Sequence, residues 1–112
     1  MRVALVFPRC RYPSGDPPLG VAYLAALAEE VGHEVTVIDT TFARDPGSLL
    51  RQALEKERFD LIGLSLMTVM VRDVRELLPL IKQLQPQARL VVGGPHATVE
   101  PLATLEIGRA HV

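Results

Sequence analysis

The chain alternates between two periodicities. Val3-Ala4-Leu5-Val6-Phe7 is a continuous apolar run of strand length, after which Gly20, Tyr23, Leu24, Leu27 and Val31 fall at helical spacing. The exchange repeats with Glu34–Asp39 and the segment opened by Asp45-Pro46, with Leu61–Leu66 and Val71–Gln85, and with Arg89–Val92 and a last helix starting at Thr98 or Pro101. Strand-length runs followed by 3.6-period segments on short connections require parallel strands joined by right-handed crossovers.

The expected architecture is therefore α/β: a doubly wound, Rossmann or flavodoxin-like parallel sheet with strand order 2-1-3-4 and helices on both faces. Local signals place its boundaries. Pro8 ends the first strand, whose two apolar faces predict cover from both sides. Gly32 stops the first helix, which the spacing predicts to be well buried with Tyr23 in the core. Asp45 supplies an N-cap ahead of Pro46 at the first helical position, and that helix turns Leu50, Ala53 and Leu54 inward and Arg51, Glu55, Lys56 and Arg58 outward. The third helix buries Val74, Leu77, Leu78, Ile81 and Leu84, with Pro79 inside it and Pro86 beyond its end.

Length and composition exclude several classes. A chain of 112 residues allows one small domain, and 48% hydrophobic with 22% charged residues and a net charge of −1 fits neither a disordered tail nor a basic nucleic-acid surface. The single cysteine, Cys10, permits no internal disulfide, structural zinc site or iron–sulfur cluster. No stretch approaches the roughly 18 apolar residues of a membrane span, and Val3–Phe7 is too short for a signal-peptide core. A cytoplasmic protein binding neither nucleic acid nor membrane is expected.

Ligands of open α/β sheets bind beyond the carboxyl ends of the strands. That edge here comprises Pro8–Pro18, Thr40–Gly47, Met67–Arg72 and Gly93–Ala97. The first loop holds only Gly15 and approaches Gly20 through prolines, so G-x-G-x-x-G for a dinucleotide is missing. Ser14 alone is too few hydroxyls for a flavin phosphate, and Ser65-Leu66-Met67 stands where a phospho-acceptor aspartate would end the third strand.

Pro17-Pro18-Leu19-Gly20-Val21-Ala22-Tyr23-Leu24-Ala25-Ala26, Gly32-His33-Glu34-Val35 and Gly93-Gly94-Pro95-His96-Ala97-Thr98 together resemble the N-terminal cobalamin (vitamin B12)-binding domain of cobalamin-dependent radical S-adenosylmethionine enzymes. The resemblance covers about the first 105 residues. It implies a corrinoid over the carboxyl edge, with its nucleotide tail beside the third and fourth strands. Gly93 and Gly94 would let backbone approach a planar base or ribose, although a tight turn needing positive φ accounts for such a pair equally well. Ser65 and Thr68 could hydrogen-bond the tail or cap the following helix. Pro17, Pro18 and Gly20 would shape the floor of the site, and His96 would touch the ligand or a neighbouring domain. Cys10 and Tyr12 lie on the loop facing the corrinoid, with no ligating role assigned. Asp39 reads as a turn residue.

The D-x-H-x-x-G motif that places a histidine under cobalt in other cobalamin domains is absent, so no catalytic or metal-ligating residue is expected from this chain. The C-x-x-x-C-x-x-C motif that holds the [4Fe–4S] cluster for S-adenosylmethionine cleavage is likewise missing, which assigns both to a C-terminal radical S-adenosylmethionine domain of the parent protein. A fifth strand is also expected beyond the last helix. Ile107–Val112 can be encoded by ATC GGA AGA GCA CAC GTC, which reads as a sequencing adapter; residues 1–106 are expected to be an incomplete cobalamin-binding domain and 107–112 a non-native tail. The rival expectation is a nonenzymatic α/β module that binds a nucleotide-like ligand or docks a partner. A glycosyltransferase half-domain would need an acidic metal-binding pair, which the carboxyl-edge loops do not show.

Overall fold

The computed structural model describes residues 1–8, 19–41, 43–67, 70–94 and 98–108. Strands β1 (Arg2–Phe7), β2 (Glu34–Asp39), β3 (Leu61–Ser65) and β4 (Arg89–Gly93) alternate with helices α1 (Leu19–Glu30), α2 (Pro46–Lys56), α3 (Val71–Leu84) and α4 (Pro101–Gly108). The strands are parallel and ordered β2-β1-β3-β4, as the alternation predicts. Among the described residues no helix is long and apolar enough to cross a membrane.

The register divides the sheet into two unequal faces. Ala4, Ile62 and Leu90 stand in one cross-strand row and Val6, Leu64 and Val92 in the next. All six are buried, and they join Leu50 and Leu54 of α2 and Val74, Leu77, Leu78 and Ile81 of α3 in the main core. On the opposite face the row Leu5, Gly63, Val91 is only partly buried. Helix α1 packs on that side against β1 and β2, and among the described residues Gly63 of β3 and Val91 of β4 are left only partly covered.

This asymmetry corrects the expected burial of α1. Among the residues of the helix whose burial is described, Val21 and Ala25 reach the core, whereas Tyr23 is 69% exposed and Leu24, Leu27 and Val31 are exposed with it. The helix is apolar around much of its circumference, so spacing alone could not tell which stripe meets the sheet. The expectation for β1 holds: Ala4 and Val6 are buried on one face and Val3 and Phe7 on the other, with Leu5 partly covered between them. Leu84 is partly buried instead of fully so, and Arg58 lies beyond the end of α2.

Local chemistry sets the helix ends as expected. Asp45 accepts hydrogen bonds from the Ser48 amide at 3.2 Å and the Ser48 hydroxyl at 2.9 Å. The hydroxyl bond first, and then the amide, hold the Asp45 carboxyl below its ordinary range. A depressed folded-state value means that the cap stabilises above the ordinary carboxylate range and is lost as pH falls through the folded value. Asp45→Ala is expected to lower the Tm at neutral pH, with the gap to the parent chain closing on acidification in thermal melts; a pH-independent gap would contradict the ionised cap. Asp39 accepts from the Thr41 amide at 2.9 Å and from its hydroxyl, forming the turn after β2.

One buried side chain ties the amino edge together. Gln85, just past α3, accepts from the Phe59 amide at 3.1 Å and donates to the Leu54 and Glu57 carbonyls at 2.7 and 2.6 Å. It thereby satisfies backbone groups at the end of α2 and the entry to β3.

Candidate functional site

The uncovered part of the sheet is a cavity of about 620 Å³, within the roughly 300–1,000 Å³ span of small-molecule sites. Leu5, Gly63 and Val91 form its floor, α1 walls it with Gly20, Tyr23 and Leu24, and Ser65, Gly93 and Gly94 stand at its carboxyl-edge end. Among the described residues no charged side chain lines it, and the side-chain heteroatoms there are the Ser65 hydroxyl and the Tyr23 phenol. Four of the residues singled out in the sequence, Ser65, Gly93, Gly94 and Gly20, are therefore brought to one cavity. Thr68, Pro17, Pro18 and His96 lie outside the described residues, as do Cys10, Tyr12 and Arg109–Val112.

The two adjacent glycines do different work. Gly94 has φ +97°, and a Cβ there would stand 2.9 Å from both the amide nitrogen and the carbonyl oxygen of Leu66. It carries β4 across the end of β3, and its carbonyl accepts from the amide and hydroxyl of Thr98, each at 3.1 Å. The tight-turn explanation thus holds for Gly94. Gly93 has no positive φ, and a Cβ on it would meet nothing within 4 Å. Its carbonyl accepts from Leu66 at 2.8 Å, completing the ladder, while the space its side chain would fill belongs to the cavity.

Ser65 is half-buried at the cavity end, and among the described residues its hydroxyl engages no partner. The competing expectation of a helix-capping hydroxyl gains nothing from α3, whose N-cap residue is Met70 with no side-chain cap bond. Gly20 likewise faces open space.

Sequence reasoning missed the floor and half of the wall. Tyr23 and Leu24 were expected in the core, and Leu5 and Val91 read as ordinary strand residues. Gly63 did carry a signal: a lone glycine inside an apolar strand marks close approach of a ligand or another backbone. His33 bonds through Nδ1 with the Met1 amino group at 3.0 Å, at the sheet edge opposite the cavity.

An apolar slot with small residues and one hydroxyl at its mouth suits a large, planar, largely apolar group with a few polar substituents. The donor set offers no cluster of imidazole, thiolate and carboxylate for binding a bare metal ion among the described residues.

Comparison with known proteins narrows the ligand. Over 89 residues the chain is 32% identical to an uncharacterized methyltransferase of Pyrococcus horikoshii, covering 80% of the chain and 19% of that protein. It is 30% identical over 118 residues to the cytidylyl-2-hydroxyethylphosphonate methyltransferase of Streptomyces wedmorensis, covering 88% of the chain and 21% of the relative. The structure of the radical S-adenosylmethionine methyltransferase TsrM from Kitasatospora setae, with cobalamin and a [4Fe-4S] cluster bound, superposes with a TM-score of 0.81 at 29% identity, over 94% of this chain and 22% of that one. The same enzyme with tryptophan and an S-adenosylmethionine analogue gives a TM-score of 0.83 at 27% identity, over 94% of this chain and 21% of that one. The chain thus spans about a fifth of the length of the relatives it matches. A family model for the B12 binding domain matches residues 14–112, almost the whole alternating pattern and every wall of the cavity except Leu5, and the chain belongs to that family.

Proposed function

We propose that this chain is the cobalamin-binding module of a radical S-adenosylmethionine enzyme, and that the parent enzyme transfers a methyl group. The observation that carries the reading is the apolar cavity opening at the carboxyl edge between Gly20, Ser65, Gly93 and Gly94. In that reading Gly20, Gly63 and Gly93 give the corrinoid's nucleotide tail room above the sheet, and the Ser65 hydroxyl hydrogen-bonds a polar atom at its mouth. The same reading assigns Thr68, Pro17, Pro18 and His96 to cofactor binding as well.

Bound cobalamin would supply a cobalt centre that accepts and passes on a methyl group. This chain's own residues would hold the cofactor and exclude water from its tail. S-adenosylmethionine and the [4Fe-4S] cluster belong to a second domain of the parent enzyme. The methyl-transfer assignment is supported by the methyltransferase relatives.

Adding hydroxocobalamin to the purified chain and separating free corrinoid by gel filtration tests the reading. Corrinoid absorbance is expected to co-elute with protein at one equivalent, and its absence from the protein peak would overturn it. Reduced to Co(II) on 15N-labelled protein, the complex is expected to show no 15N hyperfine splitting from a protein imidazole. Such a splitting would refute the absence of a histidine ligand from this chain.

A further inference from the structure

The centre of the cavity floor is a missing side chain. Gly63 lies in an interior strand, paired with β1 on one side and β4 on the other, in register with Leu5 and Val91. Glycine there weakens the strand relative to alanine through lost backbone entropy and packing. Positive φ does not require it. The neighbouring backbone does not require it either: a Cβ at Gly63 would meet the flexible end of Leu5, Cδ2, at 3.0 Å, and otherwise only the Val91 carbonyl at 4.0 Å. What a side chain would consume is the depth of the slot between the sheet and α1.

The slot's chemistry is as selective as its shape. Among the described residues its floor offers aliphatic surface, and its side-chain heteroatoms stand at Ser65 and Tyr23. A planar base lying on Leu5, Gly63 and Val91 gains apolar contact. Exocyclic amino groups and ring nitrogens pressed against the same surface lose their water without gaining partners, which is the costly case.

Resting on the corrinoid reading above, we propose that this cavity discriminates among corrinoids by the base at the end of the nucleotide tail. It accepts an apolar benzimidazole-type base and disfavours a purine, and Gly63 is the position that sets this specificity. Leu5 and Val91 act with it as the flat aliphatic bed.

The test is equilibrium titration of the chain, followed by visible absorbance and calorimetry, with three corrinoids. These are hydroxocobalamin, its analogue carrying adenine as the base, and cobinamide, which lacks the nucleotide. Cobalamin is expected to bind at least tenfold more tightly than the adenine analogue, with cobinamide no tighter than the analogue. Gly63→Val is expected to bring cobalamin to the cobinamide affinity while leaving cobinamide unchanged and the Tm close to that of the parent chain. If Gly63→Val lowers the Tm, the double variant Leu5→Ala/Gly63→Val removes the one close contact and is expected to show the same loss.

Equal affinity for cobalamin and the adenine analogue would overturn the proposal while leaving the corrinoid reading intact. So would a folded Gly63→Val chain that keeps the parent's preference. Failure of all three corrinoids to bind would overturn the corrinoid reading, and the proposal with it.

Discussion

Gly93→Val and Gly94→Ala are expected to fail in opposite assays although the residues are adjacent. Gly94→Ala forces a Cβ to within 2.9 Å of the Leu66 backbone in a residue at φ +97°. The left-handed backbone alone costs about 1–2 kcal/mol for a non-glycine residue. The clash is with strand backbone, which cannot swing aside as a side chain can, so the loss is expected to exceed that figure and to appear as a lower urea midpoint. A Cβ at Gly93 meets nothing within 4 Å, and the residue has ordinary φ. The stability of Gly93→Val is expected to stay within about 0.5 kcal/mol of the parent, as for surface substitutions, because a β-branched residue suits a strand. Its branches occupy the cavity, so hydroxocobalamin retention is expected to fall by more than tenfold. Urea titration and gel-filtration retention on the two variants check both halves. A destabilised Gly93→Val or a stable Gly94→Ala would contradict the division of roles.

Gln85→Leu is expected to be strongly destabilising although it lies far from the site. It nearly preserves side-chain volume but leaves the Phe59 amide and the Leu54 and Glu57 carbonyls without their partner. An abandoned buried polar group costs about 1–3 kcal/mol, so three of them, partly rehydrated at this edge, give a loss of about 3 kcal/mol or more. Against the 5–15 kcal/mol total typical of a domain this is a large fraction. Gln85→Glu is expected to be worse, since it sets a carboxylate against two carbonyl oxygens now 2.6 and 2.7 Å from the amide nitrogen. Urea unfolding followed by circular dichroism measures both. A Gln85→Leu midpoint equal to that of the parent chain would show that water replaces the side chain without penalty.

These predictions separate what was legible in the residue pattern from what was hidden. Strand runs such as Leu61–Ser65, the proline-led start of α2 and the Asp45 cap are local: each depends on a few neighbouring residues, and each stands where the pattern puts it. That Ser65, Gly93, Gly94 and Gly20 would come together was legible because a parallel sheet with this strand order must gather its carboxyl-edge residues, and one cavity collects all four. Gln85 was not legible. A glutamine before a proline carries no sign that its amide will reach groups 26 to 31 residues away.

Alternation and turn chemistry in the sequence by itself determined the parallel α/β sheet, its order and the edge where a ligand must sit. Only the tertiary structure decided which stripe of α1 packs and that, among the described residues, the β3–β4 side of that face is left open. It alone showed that Gly63 deepens the floor of the resulting slot, and that of two neighbouring glycines one turns the chain and the other makes room. The physical reason is one of range. Strand, helix and turn preferences are set by neighbours along the chain, whereas α1 is apolar enough to pack on several stripes, and its choice rests on where the crossover lands it over β1 and β2.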